Sequence, residues 1–202
     1  MLHHSLRQLA ISLLRKTTGW PRQPMTNARK HEVIRSFANN RQDLAFVESG
    51  TFRGDTVVAM LPLFRELVSI ELFEELYLAA AKRFEGNAKV RIVQGDSGEV
   101  LPSVVRDIKG PIIYWLDGHY SGAGTGSSKD TECPIIAELD AIIGRGDKED
   151  VILIDDARLF GWRPSYPAKK IIREIVRKQL PSHAMMVIDD IIAIHPRNLN
   201  AF

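Results

Sequence analysis

Ala45-Phe46-Val47-Glu48-Ser49-Gly50-Thr51-Phe52-Arg53-Gly54-Asp55-Thr56 is a short apolar run that ends in a carboxylate, crosses two glycines and enters a segment with helical spacing. In a doubly wound α/β sheet, ligands bind beyond the carboxyl ends of the strands, where glycines let the backbone approach them closely. A lone G-x-x-x-G carries little weight. Its position, directly between a strand and a helix, gives it more.

The same rhythm extends in both directions. Apolar runs over residues 45–48, 67–71, 90–93, 112–117 and 151–155 alternate with segments of helical periodicity over 55–65, 73–84, 99–107, 131–143 and 168–179. Such alternation is the pattern of βαβ units and a parallel sheet. The runs are almost continuously apolar, as strands covered on both faces are. Pro62 is expected to kink or shorten the first helix. Near the end the rhythm changes: residues 185–188 and 191–195 are two strand-like runs separated only by Asp189-Asp190, and so short a link makes an antiparallel hairpin. The expected fold is a doubly wound, Rossmann-like α/β sheet of five parallel strands plus a C-terminal antiparallel hairpin.

At 202 residues, 45% of them hydrophobic, the chain is read as one globular domain that needs no disulfide or metal staple. Its single cysteine, Cys133, is expected to be an inert packing residue in a reducing, cytoplasmic setting. No apolar run approaches the length of a membrane span, and no secretory signal is expected. The net charge is +2, but residues 1–35 hold seven Lys/Arg and one acid, leaving 20 basic against 24 acidic residues beyond them. The acid excess argues against a broad nucleic-acid surface.

Residues 1–40 are expected to be an N-terminal helical extension to a domain spanning 41–202. Leu2, Leu6, Leu9 and Leu13 recur at helical spacing over residues 1–20, and Gly19-Trp20-Pro21 ends that helix. Its leucine face is expected to lie against the domain or a second copy of the chain, with membrane-surface attachment or an uncleaved organelle-targeting segment as the lesser readings. A second helix is expected over 27–40.

Acidic residues recur at the strand ends. Glu71 ends the second strand, where a carboxylate accepts ribose hydroxyls, and Gln94-Gly95-Asp96-Ser97 follows the third, within reach of an adenine. Asp117 and Asp155-Asp156 follow the fourth and fifth. With these features and the terminal hairpin, residues 40–196 resemble the class I S-adenosylmethionine-dependent methyltransferases. Trp115-Leu116-Asp117-Gly118-His119-Tyr120-Ser121-Gly122 and Ile154-Asp155-Asp156-Ala157-Arg158 look most like the small-molecule O-methyltransferases related to macrocin O-methyltransferase. Phe52 and Arg53 stand where the common loop of that superfamily often has a middle glycine.

The resemblance implies methyl transfer from S-adenosylmethionine to a hydroxyl of a small molecule. It implies cofactor contacts from Glu48, Gly50, Thr51, Phe52, Gly54, Thr56, Glu71, Asp96, Ser97 and Asp117, and catalytic roles for Asp117 and His119. A divalent cation such as Mg²⁺, held by Asp117, Asp155 and Asp156, would acidify the hydroxyl and relieve repulsion among the three carboxylates. Structural capping by one or two of them is the competing account. The glycine-rich segment 121–128 is placed to close over a substrate, unless it is a passive linker. His31, His183 and His195 are scattered without ligand spacing. Two other readings stay open: a nicotinamide-dependent oxidoreductase, disfavoured by the hairpin, and an inactive methyltransferase-like interaction module, disfavoured by the acidic strand ends.

Overall fold

The computed structural model describes residues 24–39, 41–118 and 133–199. The helix expected over 1–20, His119, Tyr120, the 121–128 segment and the first residues of the 131–143 helix lie outside the described residues.

Seven strands form one sheet: β1 (Ala45–Ser49), β2 (Glu66–Glu71), β3 (Val90–Gln94), β4 (Ile112–Leu116), β5 (Val151–Ile154), β6 (His183–Ile188) and β7 (Ile191–Pro196). Their order is β3-β2-β1-β4-β5-β7-β6. The pairs from β3 through β5 are all parallel, and β7 runs antiparallel to both β5 and β6. The hairpin is therefore present, with Ile188 opposite Ile191, and its second strand is the one inserted beside β5. This is the arrangement expected from the two-residue link, in which Asp189 takes a left-handed conformation (φ 54°).

Among the described residues, six helices cover the sheet: α1 (Asn27–Ala38), α2 (Asp55–Met60), α3 (Glu74–Arg83), α4 (Ser97–Arg106), α5 (Ile135–Arg145) and α6 (Lys169–Gln179). A 3₁₀ turn, Ala157–Leu159, follows β5. Because successive strand residues face opposite sides, β1 divides its side chains between two cores. Ala45 and Val47 join Leu101, Leu139 and Ile172 beneath α4, α5 and α6. Phe46 joins Val33, Ile34, Phe37 and Met60 beneath α1 and α2. Burying each large side chain contributes about 1.5–3 kcal/mol, which explains why β1, β4 and β5 are apolar on both faces. Helix α1, which the sequence reading placed with the extension, thus shares a core with the strands.

The boundaries of α2 and α4 differ from expectation for local reasons. Helix α2 ends at Met60 rather than near residue 65, because Pro62 has no N–H to continue the ladder; Leu61 N–H still donates to Val57 O, and Leu63 N–H then closes a turn on Met60 O. Helix α4 starts at Ser97 because the Asp96 carboxylate accepts the Gly98 N–H at 2.9 Å and caps it. Among the described residues, no helix is long and apolar enough to cross a membrane.

Candidate active site

The chain leaves β1 toward β2 on one side and has β4 on the other, so the sheet's switch point lies between β1 and β4. Asp117 N–H donates to Ser49 O across this point, at 3.1 Å. The loop after β1 is pressed against the end of β4. A side chain at Gly50 (φ 89°) would put its Cβ 2.7 Å from the Asp117 carbonyl oxygen, so glycine is required here by both torsion and contact. Gly54 (φ 76°) lies similarly against the Phe84 ring.

On the β1–β3 side, carboxylates are held by neutral donors. Glu48, fully buried at the end of β1, accepts the Ser69 hydroxyl at 2.6 Å; Thr51 Oγ1 lies 2.5 Å from the same Ser69 oxygen. Since the Ser69 proton goes to Glu48, Thr51 donates to Ser69. Desolvation, helped by nearby Glu71 and opposed by Ser69, pushes the Glu48 carboxyl up to about 8, and its Oε2 has no protein partner. Glu71 accepts Phe52 N–H through Oε2 at 2.8 Å and Phe73 N–H through Oε1 at 2.9 Å. These bonds fix its orientation and leave each oxygen a further lone pair. Phe52 itself is half exposed in a left-handed conformation (φ 47°), Thr56 lies in the first turn of α2, and Ser97 is buried at the start of α4. Asp96, read as an adenine contact, has one oxygen engaged in capping α4.

On the β4–β5 side, the carboxylates meet cations. Lys30, on α1, has its ammonium against Asp155 Oδ2 and 3.6 Å from Asp117 Oδ2, with the Trp115 ring centroid 6.0 Å away. Asp155 is completely buried. Burial alone would lower the Lys30 pKa, but attraction to Asp117 and Asp155 outweighs it and raises it. Desolvation raises both carboxyls, with Asp155 adding to the effect on Asp117 and Lys30 opposing it on each.

Asp156 is used elsewhere. It is left-handed (φ 57°), and its Oδ1 accepts Arg158 Nη1 at 2.6 Å. Arg158 also pairs with Asp190 in the β6–β7 turn, whose Oδ1 accepts the Arg158 N–H at 2.7 Å. The expected three-carboxylate metal set is therefore not assembled: two members face an ammonium and the third a guanidinium. Among the described residues, no group of three or more His, Cys, Asp or Glu side chains is placed to hold a metal ion. The donor set as arranged does not fit a divalent cation.

Two residues escaped the sequence reading. Lys30 shares a helical stripe with Val33, Ile34 and Phe37, and a lysine on an apolar face was the available signal. Glu138 is fully buried on α5 among Ile135, Leu139 and Ile142; burial raises its carboxyl pKa, while the Ser97 and Ser49 hydroxyls pull it down. The same signal, an acid on an apolar stripe, marked it.

The sequence matches no family model and no curated protein. Solved structures do resemble it. An S-adenosylhomocysteine-bound Podospora anserina methyltransferase, PaMTH1, is 13% identical with a TM-score of 0.57, over 96% of each chain. The O-methyltransferase TomG of Streptomyces achromogenes, solved with S-adenosylmethionine, is 15% identical with a TM-score of 0.57, over 90% of this chain and 85% of that one. An rRNA methylase of Streptococcus thermophilus is 14% identical with a TM-score of 0.55, over 85% and 98%. These likenesses show the fold alone, a Rossmann-like α/β fold shared with methyltransferases that include an O-methyltransferase involved in tomaymycin synthesis and an rRNA methylase.

Proposed function

We propose that this protein is an S-adenosylmethionine-dependent methyltransferase acting on a hydroxyl of a small molecule. The observation that carries the proposal is Glu71: a buried carboxylate at the tip of β2, oriented by two backbone N–H groups and retaining acceptor capacity on both oxygens. That arrangement suits the paired hydroxyls of a ribose. Residues around it fit the rest of the cofactor: the Gly50 turn passes close to Asp117, Glu48 presents an unpartnered oxygen, and Asp96-Ser97 stands at the end of β3.

When bound, the cofactor supplies a sulfonium methyl for in-line displacement by the acceptor oxygen, leaving S-adenosylhomocysteine and a proton. The chain's part is alignment and proton removal. Asp117, at the switch point, lies on the acceptor side, and His119, two residues on in sequence, is the proposed proton acceptor. The acid excess beyond residue 35 supports a small acceptor over a nucleic acid. A cytoplasmic setting and burial of the 1–20 leucine face, against the domain or a second copy, belong to the same proposal.

Calorimetric titration of the full chain with S-adenosylmethionine, S-adenosylhomocysteine and NAD tests it. Binding of both sulfur compounds and no binding of NAD is the expected result; NAD binding alone would favour the oxidoreductase, and no binding at all the inactive module.

A further inference from the structure

Lys30 stands out because of where its charge lies. It extends from the face of α1 whose Val33, Ile34 and Phe37 are buried in the core, so the backbone that carries it is anchored. Its side chain is only 16% exposed, and its ammonium reaches a carboxylate with no exposure at all. A buried charge of this kind is tolerated only when paired, and here the pairing joins the N-terminal helix to the ends of β4 and β5.

We propose that Lys30 is the resident counter-cation of the Asp117–Asp155 pair, standing where a divalent ion would otherwise sit, so that this site operates without a metal and becomes a divalent-cation site only when the ammonium is removed. Two observations and one general constraint support it. The ammonium contacts Asp155 and lies 3.6 Å from Asp117, between the two acids. Asp156, the third expected ligand, is held by Arg158, which Asp190 anchors to the β6–β7 turn. Mg²⁺ demands near-octahedral oxygen donors at short range, whereas an ammonium imposes no such geometry and adds no open coordination place for a chelating substrate. The meaning of this for acceptor choice rests on the methyltransferase reading: an acceptor need not present two neighbouring oxygens to a metal. The ion pair itself does not depend on that reading. Lys30 is a positioning residue in this account, setting the charge and orientation of Asp117 and Asp155.

The test is a Mn²⁺ titration of the full chain without cofactor, followed by electron paramagnetic resonance of the free ion. Wild type is expected to take up no stoichiometric Mn²⁺ at about 1 mM, near the weak end of protein affinities for divalent ions. Lys30→Ala should gain a site about tenfold or more tighter than any wild-type binding. Lys30→Arg, which keeps a cation, should remain without one, and adding Asp155→Asn to Lys30→Ala should abolish the gain. If the alanine variant does not fold, Lys30→Met retains much of the packing of the stem and is read in the same way. One Mn²⁺ bound per wild-type chain and lost in Asp155→Asn, or no gain in folded Lys30→Ala or Lys30→Met, overturns the proposal. Because no cofactor is present, a failure of the methyltransferase reading leaves this result unaffected.

Discussion

The two sides of the switch point treat the same chemical group in opposite ways. At the ends of β1, β2 and β3, carboxyl groups of Glu48, Glu71 and Asp96 are met by a hydroxyl and by backbone N–H groups. At the ends of β4 and β5, Asp117, Asp155 and Asp156 are met by Lys30 and Arg158. At Glu71 and Asp96 neutral donors orient a carboxylate without cancelling its charge, so it can still accept from a ligand's hydroxyls, whereas burial holds Glu48 protonated up to about pH 8. Cations cancel the charge and fix the geometry of the strand ends. One side thus keeps acceptor capacity and the other is electrostatically closed, although both are acids at strand ends in the sequence.

The sharpest way to break this contrast is to remove the cation. Lys30→Met leaves Asp155 buried without its partner, and losing one member of a buried pair costs about 3–5 kcal/mol. Chemical denaturation should show a loss of that order, partly recovered in the Lys30→Met/Asp155→Asn double variant. A loss below about 1 kcal/mol would mean that the pair behaves like a surface contact.

A smaller effect is expected where the two sides touch. Gly50→Ala combines a positive φ with a Cβ 2.7 Å from the Asp117 carbonyl, and should cost about 2–3 kcal/mol. Gly86→Ala has a similar φ (78°) with open space around it, and should cost about 1 kcal/mol. Equal losses by thermal or urea unfolding would remove the close approach of the β1 loop to β4 from the account.

On the neutral side the expected effect depends on pH. The Glu48 carboxyl ordinarily titrates at 4.5 and is pushed up to about 8 in the folded chain. The folded state therefore binds more protons than the unfolded state between these values, and wild type should lose stability as pH rises through that window. Glu48→Gln cannot ionise, so its stability relative to wild type should rise across the window, by on the order of 4 kcal/mol at pH 8 against pH 4.5. Parallel stability curves for the two proteins would show that Glu48 is not held neutral.

The fold was legible in the sequence because its signals are local. Continuous apolar runs marked strands buried on both faces, and Asp189-Asp190 left room only for a hairpin. The acids at the ends of the strands were legible for the same reason. What was not legible is which partner each acid takes, since that depends on contacts between distant parts of the chain. Lys30 reaches Asp155 from the N-terminal helix, and Asp156 is claimed by Arg158, itself secured by Asp190. A divalent ion was the simplest cation to place among three carboxylates read in isolation. Two basic side chains fill that need, and only the stripe Lys30, Val33, Ile34, Phe37 hinted at one of them.

Under the proposed function, the neutral side binds S-adenosylmethionine through Glu71. Calorimetry of wild type and Glu71→Ala, each checked for fold by circular dichroism, tests it most directly. Losing two charge-assisted hydrogen bonds, each worth about 1.5–3 kcal/mol, should weaken S-adenosylmethionine binding by about tenfold or more. Unchanged affinity in a folded Glu71→Ala protein would contradict the claim.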